Sequence, residues 1–359
     1  MFSYVNTRNM FRCRFIAIVT LLFLGVTALS AQDVNVGVDF VTLFDNTEYA
    51  AMHEQRSETL FSARLTPKVA LGWDEANELV VAVDLTKDFG DKLNVLSNKQ
   101  VQFYYGYTSE QVKLVAGIFP RAMMRGLRSD IFFDRAHRYN HNLLSGVLAR
   151  KESKSGESFV EFAMDYNGKR TFDTREAFEI MSSARYAEHS LYLGYDLMMG
   201  HYAKDYNPAT VDGVVDNILI TPYLGVDFKV GDMDVDFGLR YIQSLQRDRI
   251  NENRWENPMG VESRVAMKYR GFTVENRTYL GNALYTYYER YGVALYHGLQ
   301  HYAPTHADHP YNALTLLYRE SFANNTVFLD MGFTLESDSR GMGTRQWLGV
   351  SVMLDNLVN

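Results

Sequence analysis

Residues 214–246 read VVDNILITPYLGVDFKVGDMDVDFGLRYIQSLQ. Every second residue from Val214 to Val230, and again from Met233 to Tyr241, is apolar with the exception of Asp216. The interleaved positions are mostly polar: Asn217, Thr221, Asp227 and Lys229, then Asp234, Asp236, Arg240, Ser244 and Gln246, with Val215, Leu219 and Ile242 as exceptions. A period of two places alternate side chains on opposite faces of a strand, and a helix cannot produce it. Gly231-Asp232 joins two such strands as a hairpin. Pro222 interrupts the first strand and, lacking a ladder donor, predicts a local bulge. The oily face covers either a soluble core or lipid, and the hairpin alone leaves both open.

The ends and the composition bear on that choice. Arg8, Arg12 and Arg14 precede an apolar run from Phe15 to Leu29 and a small-residue site at Ala28-Leu29-Ser30-Ala31. This pattern predicts a cleaved secretory signal peptide over 1–31 and a mature domain over 32–359. No later stretch reaches the eighteen or so consecutive apolar residues of a membrane helix, so a membrane location requires a barrel. Cys13, the only cysteine, falls in the signal, which leaves the exported chain without disulfides or cysteine-ligated metal. Loss of the three arginines takes the formal charge from −7 to −10, an acidity that argues against a nucleic-acid partner.

The same alternation recurs along the mature chain in sixteen runs, the first Val34–Phe44 and the last Arg345–Asp355. Their connections alternate long and short, with short ones at Asp74–Asn77, Thr108–Glu110, Glu152–Glu157, Glu188-His189, Gly231-Asp232, Arg270-Gly271 and Ser321–Asn325. Even strand number, short turns on one side and long loops on the other are the pattern of outer-membrane barrels. Trp73, Tyr107, Tyr186 and Tyr269 each close an apolar face where a run enters a short turn, which predicts an interface girdle. The fold class expected is all-β: a transmembrane antiparallel up-and-down barrel of about 16 strands, or 18 if Gly281–Pro310 holds another hairpin.

A barrel of that size encloses an aqueous lumen, so the polar face becomes its lining. Arg64, Lys68, Arg240, Arg264, Lys268, Arg270 and Arg277 supply cations there, against Asp84, Glu179, Asp227, Asp234, Asp236 and Glu262 among the acids. Two readings are open: a transverse field between a basic and an acidic wall, or local pairs that keep the wall solvated. The alternation stops over Pro120–Asn142, the third long loop, with Arg121, Arg125, Arg128, Arg135 and Arg138 against Asp130 and Asp134, and Ile131-Phe132-Phe133 among them. Apolar residues in a loop need something to pack on, so the segment is expected to fold into the barrel and constrict it, its arginines selecting anions. The alternative is an exterior loop whose arginines meet lipid A phosphates.

Sixteen runs, with a long segment opened by Gly117-Ile118-Phe119-Pro120-Arg121 after the fifth, resemble the bacterial porin family. The resemblance implies an eyelet near Arg121–Arg138. It departs from general porins in a basic rather than acidic loop, which points toward anion-selective members, and in a terminus Leu354-Asp355-Asn356-Leu357-Val358-Asn359 that lacks their final Phe.

The seventh long loop, 281–310, contains His297, His301, His306 and His309. With no cysteine and no HExxH spacing, a metal site is not expected. Nor does any GxSxG or GxGxxG motif occur. The reading is therefore a passive channel for small polar, anionic solutes in the bacterial outer membrane, without cofactor or covalent chemistry. Its alternatives are a closed barrel serving surface binding or scaffolding, and a barrel hydrolase. Expected partners are outer-membrane lipid and lipopolysaccharide, the solutes, and the barrel-assembly machinery; the resemblance leaves room for a homotrimer.

Overall fold

The structure is a computed structural model and describes residues 33–49, 57–303, 310–338, 341–355 and 357. The expected signal peptide lies outside the described residues. Sixteen strands follow in sequence. The first eight are β1 (Asp33–Glu48), β2 (Glu58–Trp73), β3 (Asn77–Asp88), β4 (Asn98–Thr108), β5 (Val112–Pro120), β6 (Leu143–Glu152), β7 (Phe159–Gly168) and β8 (Ala177–Glu188). Then come β9 (Leu191–Tyr202), β10 (Val215–Val230), β11 (Met233–Asp248), β12 (Met259–Tyr269), β13 (Phe272–Gly281), β14 (Tyr311–Phe322), β15 (Val327–Ser337) and β16 (Met342–Leu354).

Each strand pairs antiparallel with its sequence neighbours, and β1 pairs with β16 from Val38↔Leu354 to Glu48↔Thr344. That last ladder closes the sheet and removes both edges, as a strand array in lipid requires. Glycine at Gly231 (φ +62°) and tolerated left-handed residues at His189 and Arg270 make the two-residue turns, which is why those connections are so short. Between β13 and β14 there is no further strand among the described residues, so the count is sixteen rather than eighteen.

The oily face of the central hairpin points outward. Leu224, Phe228, Val230, Phe237 and Leu239 are all exposed on the outer wall, as lipid contact demands. Trp73, Tyr107, Tyr186 and Tyr269 stand at the turn ends of β2, β4, β8 and β12, and Trp73 packs on outward-facing Tyr105 at 6.0 Å. The expected bulge at Pro222 is absent. Ile220↔Gln243 and Tyr223↔Arg240 keep one register, with only the two intervening pairs missing from the β10–β11 ladder, while the β9 ladder runs through Pro222↔Tyr195. The lost donor therefore opens a gap on one side without adding a residue. Pro67 does the same between Leu65↔Leu85 and Lys68↔Ala82.

Candidate functional site

The segment between β5 and β6 runs inside the barrel and touches its wall around nearly the whole circuit. Arg121 meets Asp165 on β7 at 2.6 Å, and the backbone N–H groups of Arg125 and Gly126 donate to Glu161 on the same strand at 3.0–3.1 Å. Leu127 N–H donates to Asp196 on β9, and Asp130 accepts from Arg277 on β13 at 2.8 Å. A short helix follows, α1 (Arg135–Asn140), because Asp134 caps it by accepting the His137 N–H at 2.6 Å. It sets Arg135 4.0 Å over the Trp347 ring of β16 and Tyr139 against Ser62 of β2; Asn142 then reaches Asp84 on β3.

A second segment, 282–303, lies on the first. Leu299 N–H donates to the Asp130 carbonyl, Tyr285 hydroxyl to that of Ile131, and Asp134 N–H to that of His297. Its short helix α2 (Tyr288–Tyr291) and the tyrosines around it join Ile131, Phe132 and Phe133 in one buried apolar cluster. The wall side of that cluster contains Val215, Leu219 and Ile242, all fully buried. These are the three residues that broke the polar face of the central hairpin. They are apolar because a plug, not water, covers the lumen there.

Below the plug a cavity of about 890 Å³ remains between the first segment and the β1–β4 and β13–β16 walls. It is continuous with a vestibule of about 1340 Å³ at the short-turn end, the two sharing Thr273, Glu275, Leu317, Arg319 and Ser351. Four arginines on the cavity are loosely matched. Arg64 stands 3.9 Å from Asp84, Arg135 3.7 and 3.8 Å from Asp330 and Asp45, and Arg138 3.5 Å from Asp130. Arg128 has no ion pair among the described residues and donates to the carbonyls of Met124 and Arg125. Enclosure, and then the charge of Arg138, pull the Arg128 pKa down, and enclosure likewise lowers that of Arg135 to about 10. These cations are short of negative charge, and the cavity is where an anion would relieve them.

Elsewhere the lining charges form close local pairs. Lys68 meets Asp39 and Asp355, Arg240 meets Asp196, Arg264 meets Asp236 and Glu275, and Arg185 meets Asp227, all within 3.2 Å. Glu262 accepts from Tyr302, Lys229 pairs with Asp234, and Lys268 lines the vestibule. The lining thus follows the local-pair reading rather than two opposed walls. Arg121 and Arg125 are likewise committed to the wall, Arg125 to Glu152 at 2.8 Å near the turn end.

The side chains that sequence reading did not bring together are histidines. His137 of α1 stacks on His141 at 4.6 Å and on His297 of the second segment at 4.2 Å. Glu179 of β8 lies 3.4 Å from His297 Nε2, and Arg121 sits over Phe133, which stacks on His137. Burial lowers the pKa of both His137 and His141, and the neighbouring His297 and Arg121 push the same way. Both rings are therefore neutral at physiological pH. Three buried atoms here make no hydrogen bond: Arg121 Nη1, Glu179 Oε2 and His297 Nδ1. Residues so far apart in sequence gave no spacing to read; the one local signal was Asp134 as a cap placed before His137. His301 goes elsewhere, stacking on Tyr311 at 3.6 Å, while His306 and His309 lie outside the described residues. No group of potential ligands among the described residues has metal-binding geometry.

Comparison with solved structures shows the porin fold. The chain is similar to a loop L8 deletion mutant of OmpT, an outer membrane protein of Vibrio cholerae, at 13% identity and a TM-score of 0.54 over 90% of this chain and 100% of that one. It is similar to an anion-selective porin from Comamonas acidovorans at 11% identity and 0.55, over 90% and 99%. OccK8 (OprE) of Pseudomonas aeruginosa matches at 8% and 0.51, over 90% and 99%. At such identities these likenesses speak for the architecture alone. No curated protein matches the chain. The model of one family, described as lipid A 3'-O-deacylase-type, matches residues 26–339. That family is one of enzymes, which overturns the expectation of a barrel without covalent chemistry. The absence of a GxSxG motif was a poor guide, since not every hydrolase carries it.

Proposed function

The chain belongs to the lipid A 3'-O-deacylase-type family, and on that premise we propose that it hydrolyses an ester-linked acyl chain of a phosphorylated glycolipid of the lipid A class. The observation that carries the reading is the arginine-lined cavity beside the stacked histidines. Arg64, Arg128, Arg135 and Arg138 supply loosely matched guanidiniums suited to phosphate groups. His297, with Glu179 at its Nε2, has a buried Nδ1 without a partner, and this atom would accept a proton from a water that enters with the substrate. The hydroxide attacks the ester carbonyl, and Arg121 Nη1 is the donor at hand for the oxyanion. Collapse expels the sugar hydroxyl, which takes the proton back from the imidazole, leaving fatty acid and alcohol. The test is mass spectrometry of lipid A incubated with the folded barrel in detergent. Loss of one acyl chain by the wild type, and no loss with His297→Ala or His137→Ala, is expected; full-mass lipid with every protein would sink the proposal.

A second reading, passage of small anionic solutes, is favoured by the continuity of cavity and vestibule. Planar-bilayer recordings discriminate it: anion-preferring steps are expected if the arginine belt is also an eyelet, and silent membranes would remove this reading alone.

A further inference from the structure

The loop 89–97, between β3 and β4, carries two apolar side chains with almost no cover: Leu93 is 95% exposed and Val95 91%. The loop holds them there by design of its own hydrogen bonds. The Asp91 carboxylate accepts from the N–H groups of Leu93 (2.9 Å) and Asn94 (3.1 Å), from the Asn94 amide (3.1 Å) and from the Ser97 hydroxyl (3.0 Å). Lys87 Nζ donates to the carbonyls of Asp91 and Asn94, and Ser97 N–H to that of Thr86. A frame this well tied gives Leu93 and Val95 no means of turning inward.

The loop's place on the barrel identifies what covers them. Phe89 packs edge-on against Phe61 at 4.5 Å, and Phe61 against Phe44 at 5.7 Å, on the outer wall. Along β2, Phe61 is twelve residues from Trp73 of the girdle. At roughly 2.5 Å of height per residue in a tilted strand that is about 30 Å, close to the full apolar band. The Phe61–Phe89 pair therefore marks the outer edge of the band, and the loop that carries the exposed Leu93 and Val95 begins at Phe89 on that edge. Lys92 and Lys99, both exposed, flank them. We propose that loop 89–97 is a membrane-docking element, which sets Leu93 and Val95 at the acyl–headgroup boundary of the outer leaflet with Lys92 and Lys99 toward its phosphates. It rests on the outer-membrane location and not on the deacylase reading.

Cys13 is the only cysteine, so Leu93→Cys in a Cys13→Ser background takes one environment-sensitive fluorophore. The labelled full-length protein is placed in vesicles of phosphatidylcholine and phosphatidylglycerol, with Asp173→Cys on another outer loop as reference. Quenching of the Leu93→Cys label at least twofold by lipid brominated near the headgroup, with shielding from iodide, is expected; the Asp173→Cys label should show the reverse. Val95→Cys gives a second readout should the first label disturb the loop. Iodide quenching equal to that at position 173, with indifference to brominated lipid, overturns the proposal in favour of solvent. Shielding that disappears on dilution to one barrel per vesicle overturns it in favour of a second copy.

Discussion

On the proposed reading, anion recognition turns on Arg128. Its guanidinium faces the cavity with carbonyl partners only, whereas Arg125, three residues earlier, is neutralised by Glu152. A charge-assisted contact contributes about 1.5–3 kcal/mol, so Arg128→Ala should raise KM for the phosphorylated substrate about tenfold or more with little change in fold. Arg125→Ala should leave KM nearly alone; steady-state kinetics of the two variants makes the comparison. His137 offers a second handle. Its folded pKa is depressed by burial, so below the ordinary value near 6.5 the detached loop binds a proton that the docked loop refuses. Docking is thus at full strength above pH 6.5 and weakens as pH falls, by at most about 1.4 kcal/mol per pH unit from this group. His141 adds less because it is less enclosed. Hydrogen-exchange protection factors over 121–142, which divide out the intrinsic pH dependence of exchange, should fall between pH 6.5 and 5 and stay level between 7 and 8.

At the scale of elements, the barrel and its contents are separable. Gly126 lies so close to the wall that a Cβ would overlap Ser183 Oγ. Gly126→Val should therefore lift the 121–130 stretch off β7–β9 and open it to protease, while the ladder survives. Ile242→Asp would bury a carboxylate against the tyrosine-rich segment and detach 282–303; larger conductance steps in planar bilayers are the expected outcome. The strands themselves were legible in the sequence because each writes its own period of two and each short turn announces itself. The bulge predicted at Pro222 was wrong, since a closed ladder can leave two pairs unmade without shifting register. Val215, Leu219 and Ile242 stood out as exceptions on the polar face and are the imprint of the plug, a signal present in the sequence but unreadable without knowing what lies opposite. Convergence of His137 and His297 depends on two loops meeting inside a lumen, and no local pattern encodes that.

For the whole molecule, the outer half of the lumen is packed and the inner half is hollow. The tyrosine-rich plug pinned at Asp130, Ile131 and His297 roofs the cavity, and on the proposed enzymatic reading that roof limits water around the substrate. On the proposed reading the wide barrel of porin architecture supplies the room, and the two inward segments the chemistry of the deacylase-type family. The most direct test is the fate of lipid A incubated with the folded protein in heavy-oxygen water and read by mass spectrometry. Glycolipid lighter by one acyl chain, with a heavy oxygen in the released fatty acid, is the predicted result. Lipid A of unchanged mass after prolonged incubation with correctly folded barrel would contradict the account.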